Sequence, residues 1–212
     1  MKNYEILPER NYLRQAPEIV NGRWSLTKQE SNILLLVLGA IQKEDEEFKD
    51  YIFEKSDLER RMGVAINSRE LKTTVKQLMS RVLEVPTEKG YKLFNWFSYF
   101  EYADGVCTCS FDERLKPYLL ELKQFVLADS RHLLDMKSEY SRRIYMLLKE
   151  YAKFGTRTFN VEELQDILQV PKSMKRYDNF KRQILLRAEA DINKFSDLEV
   201  KLSEKKLGRK VV

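Results

Sequence analysis

The side chains best suited to chemistry lie in YDNFKRQILLRAEADIN, residues 177 to 193. At about 100° per residue, Phe180, Ile184, Leu185, Ala188 and Ile192 of a helix share an arc of about 140° that packs on a domain. Asn179, Arg182, Gln183 and Asn193 point away from it. Arginine makes paired hydrogen bonds to guanine, and glutamine or asparagine to adenine, so this face is composed to read base edges. Lys172, Lys175, Arg176 and Lys181 cluster at the helix entrance, and Lys205, Lys206, Arg209 and Lys210 near the chain end, as charges that hold phosphates and set the register. For any single lysine, simple solubility is the better account; for the cluster, double-stranded DNA is. Arg69, Lys72, Thr73 and Lys76 form a second, less basic set, for which DNA contact and plain solvent exposure weigh equally. Two such helices would fit successive major grooves, about 34 Å apart, on a long asymmetric site.

Other chemistries lack their residues. The one histidine, His132, cannot complete a zinc site with Cys107 and Cys109, which read as reduced structural thiols. No metal, no cofactor and no catalytic residue are expected, and there is no phosphate-cradling G-x-x-x-x-G-K-[ST] loop. Cutting a DNA strand with a catalytic tyrosine and a metal held by paired histidines is excluded by the single histidine. The acidic run EDEEFKD, Glu44 to Asp50, reads as a solvated loop. Phe94, Trp96, Phe97, Tyr99, Phe100 and Tyr102 would suit a single-strand stacking platform, but only Lys92 interleaves with them. Sheet core plus a dimer face is the favoured reading. No apolar run is long enough to span a membrane and MKNYEILPER lacks signal-peptide features, so a cytoplasmic protein that is not an enzyme is expected.

Charge divides the 212 residues unevenly. Residues 131–212 hold 19 lysines and arginines against 12 acids, a net +7, whereas 1–130 hold 19 against 21, a net −2. A basic module beside a near-neutral one suits a polyanion.

The elements that position these residues repeat. SLTKQESNILLLVLGAIQKE predicts a central buried helix with Thr27 and Glu30 as a capping box. Tyr51 to Phe53 predicts a strand, and SDLERRMG a short helix with a Ser56/Glu59 box and a stop at Gly63. NSRELKTTVKQLMSRVL predicts a helix with Leu71, Val75, Leu78, Met79 and Val82 inward. The run YKLFNWFSYFEY, turned at Asp104-Gly105 into VCTCSF, predicts a hairpin, and Asp112 to Ala128 a further helix. The order then recurs: SEYSRRIYMLLKEYAKFG a helix closed by Gly155, RTF a strand, NVEELQDIL a helix capped by Asn160. The long helix follows, capped by Asp178 or Asn179, and DLEVKLSEKKLGRKVV makes a hairpin. This order predicts a helix-rich α+β protein with two tandem winged-helix domains, each a helix-turn-helix plus a β-hairpin. Residues 1–130 would give backbone contacts and dimerisation, and 131–212 the main DNA reader.

The stretches RRIYMLLKEYAKFGTRTFNVEELQDIL, NFKRQILLRAEADIN and SEKKLGR together resemble the iteron-binding plasmid replication initiators, the Rep_3 family, over nearly the whole chain and most specifically in its C-terminal half. The resemblance implies that Lys181, Arg182 and Gln183 belong to a recognition-helix run and Lys205, Lys206 and Arg209 to a wing. It implies monomers that load on repeated origin sequences, help melt an AT-rich region and recruit the host replication initiator and helicase. Dimers formed through the N-terminal domain would bind an inverted repeat and repress the initiator's gene. Asp191 stands where relatives often have Glu, and the chain ends at GRKVV where they continue the last strand, which predicts a short or truncated wing. Competing readings are a winged-helix transcriptional repressor without a replication role and a protein that binds single strands or RNA.

Overall fold

The computed structural model describes residues 12–208, 210 and 211. Strand β1 (Tyr12–Gln15) and the short α1 (Pro17–Val20) lead to α2 (Lys28–Leu38), which is buried along most of its length. Its capping box is formed in both directions, with the Glu30 carboxylate 2.7 Å from the Thr27 N–H. The same carboxylate accepts two bonds from Arg81 Nε and one from Nη2, at 2.9 to 3.1 Å, so its burial is matched by a charged partner.

After β2 (Tyr51–Glu54), α3 (Lys55–Met62) begins before Ser56 and has no side-chain cap. The expected Ser56/Glu59 box is absent because Glu59 accepts from Lys55 Nζ at 2.6 Å and from the Ile66 N–H at 2.9 Å, tying α3 to the turn that follows. Gly63 ends α3 at φ 67°, the left-handed region where glycine avoids Cβ strain. Helix α4 (Ser68–Met79), capped by an Asn67/Glu70 box, buries Leu71, Thr74 and Leu78. Val82 does not continue that stripe: it is exposed in β3 (Val82–Thr87).

The aromatic run is not one strand. β4 (Gly90–Asn95) pairs with β3 as a separate hairpin. β5 (Phe97–Ala103) turns at Asp104 and Gly105, with φ 50° and 84°, into β6 (Val106–Phe111), and β6 also pairs with β2. Aromatics on both faces of a single strand could not all be buried. Changing sheets at Trp96 lets Phe94, Trp96 and Phe97 all enter the core, Trp96 edge-on to Trp24 at 5.3 Å. The exposed aromatics of β5 are Tyr99 and Tyr102. Cys107 and Cys109 are free and buried, and burial pushes both thiols up, Cys107 to about 12.

Residues 112–128 do not form the expected helix. A 3-10 turn (Glu113–Leu115) and the four-residue α5 (Lys116–Leu119) precede β7 (Val126–Asp129), which pairs antiparallel with β1. Val126 and Ala128 face inward and Leu127 outward, a two-residue period completed by a strand from the far end of the lobe.

Next come α6 (Ser130–Asp135) and α7 (Glu139–Glu150), then a 3-10 turn ending at Gly155. RTF is not a strand. The Arg157 guanidinium lies 4.3 and 4.5 Å from the Tyr151 and Phe159 ring centroids and binds Glu150 and Asn21, which holds this segment by side chains. Helix α8 (Val161–Ile167) is capped by Asn160 as expected. The long helix comprises α9 (Tyr177–Phe180), a π turn (Lys181–Leu185) and α10 (Leu186–Phe195). It starts before Asp178 and Asn179, so neither is its cap. Two-residue strands β8 (Lys206–Leu207) and β9 (Lys210–Val211) close the expected hairpin.

One apolar cluster runs from Leu13 to Ile192 and joins both winged helices. At their junction, α7 presents two buried arginines. Arg142 donates to Ser31 Oγ at 3.0 Å and lies 3.5 Å from Glu139, and Arg143 donates to the Gly22 and Ile167 carbonyls at 2.6 and 3.2 Å. A Cβ on Gly22 would lie 2.8 Å from Leu83 Cδ1 and 3.0 and 3.1 Å from the Glu18 and Glu84 carbonyl oxygens, so a larger residue there would force its neighbours to shift. Burial raises Glu139 to about 7, above its unfolded range. A raised carboxyl binds an extra proton in the folded state, so stability falls as pH rises from about 4.5 to about 7, with a slope below about 1.4 kcal/mol per pH unit, the one-proton maximum. Denaturant titrations of wild type and Glu139→Gln across that window check this; an equal slope in both would assign it to other groups.

Candidate nucleic-acid interface

The Tyr177–Phe180 turn and the helix after it are aimed by what lies beneath them. Phe180, Ile184, Ala188 and Ile192 are buried, the expected inward stripe, and Leu185 is half-buried. The inward placement survives the π turn, where backbone bonds widen by one residue. The turn between α8 and this helix is held by Gln165, a buried amide that donates to the Lys175 carbonyl at 2.9 Å. Asp191 accepts from the Ser138 N–H and from Ser141 Oγ, at 3.3 and 2.8 Å, and so caps α7 where Ser138 itself does not. At this position the shorter acid has a defined structural partner.

On the outward face, Arg182 is exposed and donates only a long 3.4 Å bond to Asn179 Oδ1; Gln183 and Asn179 are half-buried. Lys172, in a 3-10 turn, and Lys175 are exposed, and Arg176 is exposed with a 3.1 Å ion pair to Asp178. Lys205 and Lys206 are exposed at the hairpin, while Arg209 lies outside the described residues. Lys175, Lys181 and Lys206 line a common groove of about 570 Å³ between α8, the long helix and the hairpin. Arg69, Lys72, Thr73 and Lys76 are all exposed on α4 but line no part of that groove, and Thr73 Oγ1 donates back to the Arg69 carbonyl at 3.0 Å.

Two outward residues have structural partners that the sequence did not suggest. Asn193 brackets Val200, donating to its carbonyl at 2.9 Å and accepting from its N–H at 2.7 Å, so part of the hydrogen-bonding capacity of its amide is already used. Lys181 lies 2.6 Å from Glu204, which also accepts from the Tyr177 hydroxyl at 2.8 Å. Both donors hold the Glu204 carboxyl below the usual range. With Glu189 accepting from the Leu202 N–H at 3.1 Å, one helix side laces down the irregular segment leading to the hairpin. Arg187 and Lys201 are further exposed bases that residue type alone did not single out.

Among the described residues, no group of three or more His, Cys, Asp or Glu could hold a metal ion, and no helix is long and apolar enough to cross a membrane. His132 sits 3.2 Å from the Tyr145 hydroxyl, which donates to Asp197, a contact that joins α6 and α7 to the end of the long helix.

Comparisons with known proteins place this geometry. Residues 12–149 match the family model of the initiator replication protein's first winged helix, WH1, and residues 160–212 that of its second, WH2. A replication initiation protein of Escherichia coli is 27% identical over 202 residues, an alignment covering 88% of this chain and 63% of that protein. The chain thus spans under two thirds of that relative's length. A crystal structure of the Pi initiator protein in complex with iteron DNA matches with a TM-score of 0.73 at 19% identity, covering 96% of this chain and 95% of that one, a likeness of fold. With both winged helices matched in order over most of its length, the chain belongs to the Rep_3 family of plasmid replication initiators.

Proposed function

We propose that this chain is a sequence-specific, double-stranded DNA-binding replication initiator that engages origin repeats as a monomer. The observation that carries the reading is the exposed Arg182, beside Asn179 and Gln183, on a helix whose opposite face is anchored in the core. Asn179, Lys181, Arg182 and Gln183 form the reading helix, Lys172, Lys175 and Arg176 grip backbone at its entrance, and Lys205, Lys206 and Arg209 grip from the wing. Arg69, Lys72, Thr73 and Lys76 supply the N-terminal contacts. Residues 131–212 are the main reader, and residues 1–130 add backbone contacts and the dimer face through which the chain represses its own gene. The Pi–iteron complex and the family match support DNA as the partner. Action by binding rather than catalysis, recruitment of a host initiator and helicase, and residence in the bacterial cytoplasm complete the reading.

Selection of duplexes from a random library, followed by stoichiometry on the winner, tests it. A long asymmetric motif bound by one chain is expected. A palindrome bound only by dimers would favour a repressor without a replication role, and no enriched motif would remove sequence recognition altogether.

A further inference from the structure

The groove beside the reading helix contains three lysines, and one of them, Lys181, is held in a close ion pair. Lys175 and Lys206 form no ion pair among the described residues, whereas Lys181 Nζ lies 2.6 Å from Glu204. Glu204 is not a loose surface acid. Its side chain is 23% exposed, and it accepts a second bond from the Tyr177 hydroxyl. The backbone before it is pinned at Leu202 by Glu189 and at Val200 by Asn193. A carboxylate fixed on a cation occupies the position a phosphate oxygen would take and repels that phosphate.

We propose that Glu204 tempers DNA affinity: by holding Lys181 it withholds one cation from the phosphates of any duplex, and so weakens binding to every sequence alike. The inference rests on the DNA-binding reading above. Phosphate contacts raise affinity for every sequence by the same factor, so withholding one lowers random and recognised duplex alike and leaves the ratio to the base contacts. Lys175 and Lys206 remain as the grips that hold the register.

The test uses the full chain, a random-sequence duplex and the duplex selected from the library, titrated across a salt series. Glu204→Gln keeps the size and an acceptor for Tyr177 but frees Lys181. It is expected to steepen the log–log salt dependence on random duplex by about 0.9 and to tighten that binding about 8-fold at about 0.1 M salt. Binding to the selected duplex should tighten by the same factor, so the specificity ratio holds, which marks the freed contact as one to phosphate rather than to a base. Lys181→Gln leaves Glu204 unpaired in the groove and should weaken random-duplex binding, so the contact made by Lys181 is read from the double variant. The double variant should behave as wild type. Unchanged random-duplex binding by a folded Glu204→Gln chain, or by Glu204→Ala should the glutamine chain fail to fold, overturns the proposal, and so does a loss of about 8-fold in the double variant relative to wild type. If wild type binds no duplex in preference to single strands, the underlying reading fails first, and both fall together.

Discussion

Replacement of Arg143 by methionine is expected to lower the unfolding free energy by about 3 kcal/mol, roughly two charge-assisted hydrogen bonds at the lower end of about 1.5–3 kcal/mol each. The Arg143 guanidinium donates to the Gly22 carbonyl in the N-terminal winged helix and to the Ile167 carbonyl at the end of α8 in the C-terminal one, 3.8 Å from the centroid of the Trp24 ring. Burial lowers Arg143 to about 9, so it stays protonated at neutral pH. Methionine keeps the apolar stem but leaves both carbonyls without their donor, and buried carbonyls are costly when unpaired. Lysine keeps the charge but loses the planar fork and the stacking, so Arg143→Lys should recover only part of the loss. Urea midpoints for the three proteins check the order. A loss below about 1 kcal/mol in the methionine variant would mean that the carbonyls find other donors. Because this arginine joins the two modules, Arg143→Met should also weaken a long two-module site more than a truncated site read by the long helix alone.

The second large effect falls on binding. Arg182→Ala should cost about 1 to 3 kcal/mol on the selected duplex and relax the preference at one base pair, while leaving random duplex nearly unchanged. The side chain is exposed, with a single long bond to Asn179, so its removal costs the fold little and its donors are open to a guanine edge. Lys206→Ala is the contrast. From the hairpin it should weaken every sequence alike and reduce the salt slope by about 1. Competition titrations on selected and random duplexes separate the two. If both substitutions lowered both affinities by the same factor, the division of this surface into readers and grips would be wrong.

What the sequence by itself determined is whatever depends on residues a few positions apart. The Thr27/Glu30 box, the Asn160 cap, the Gly63 stop and the Asp104-Gly105 turn all formed as their spacing requires. The Phe180, Ile184, Ala188, Ile192 stripe also faces the core, since helical periodicity places side chains before any neighbour is present. The family was visible through the same C-terminal stretches.

Tertiary structure decided the rest, because the deciding partner lies far along the chain. Ser56 and Glu59 have the spacing of a cap, yet Glu59 finds Lys55 and the Ile66 amide. Residues 126–129 become a strand only because β1 offers an edge. The aromatic run divides because Trp24 makes a buried place for Trp96. Arg142 and Arg143 look like surface charges on an amphipathic helix until segments distant in the chain, around Ser31, Gly22 and Ile167, cover them. Lys181 reads as one more free base until the chain returns with Glu204. Local spacing sets what a side chain is able to do, but burial and a competing acceptor settle what it does, and both arise only when distant segments meet.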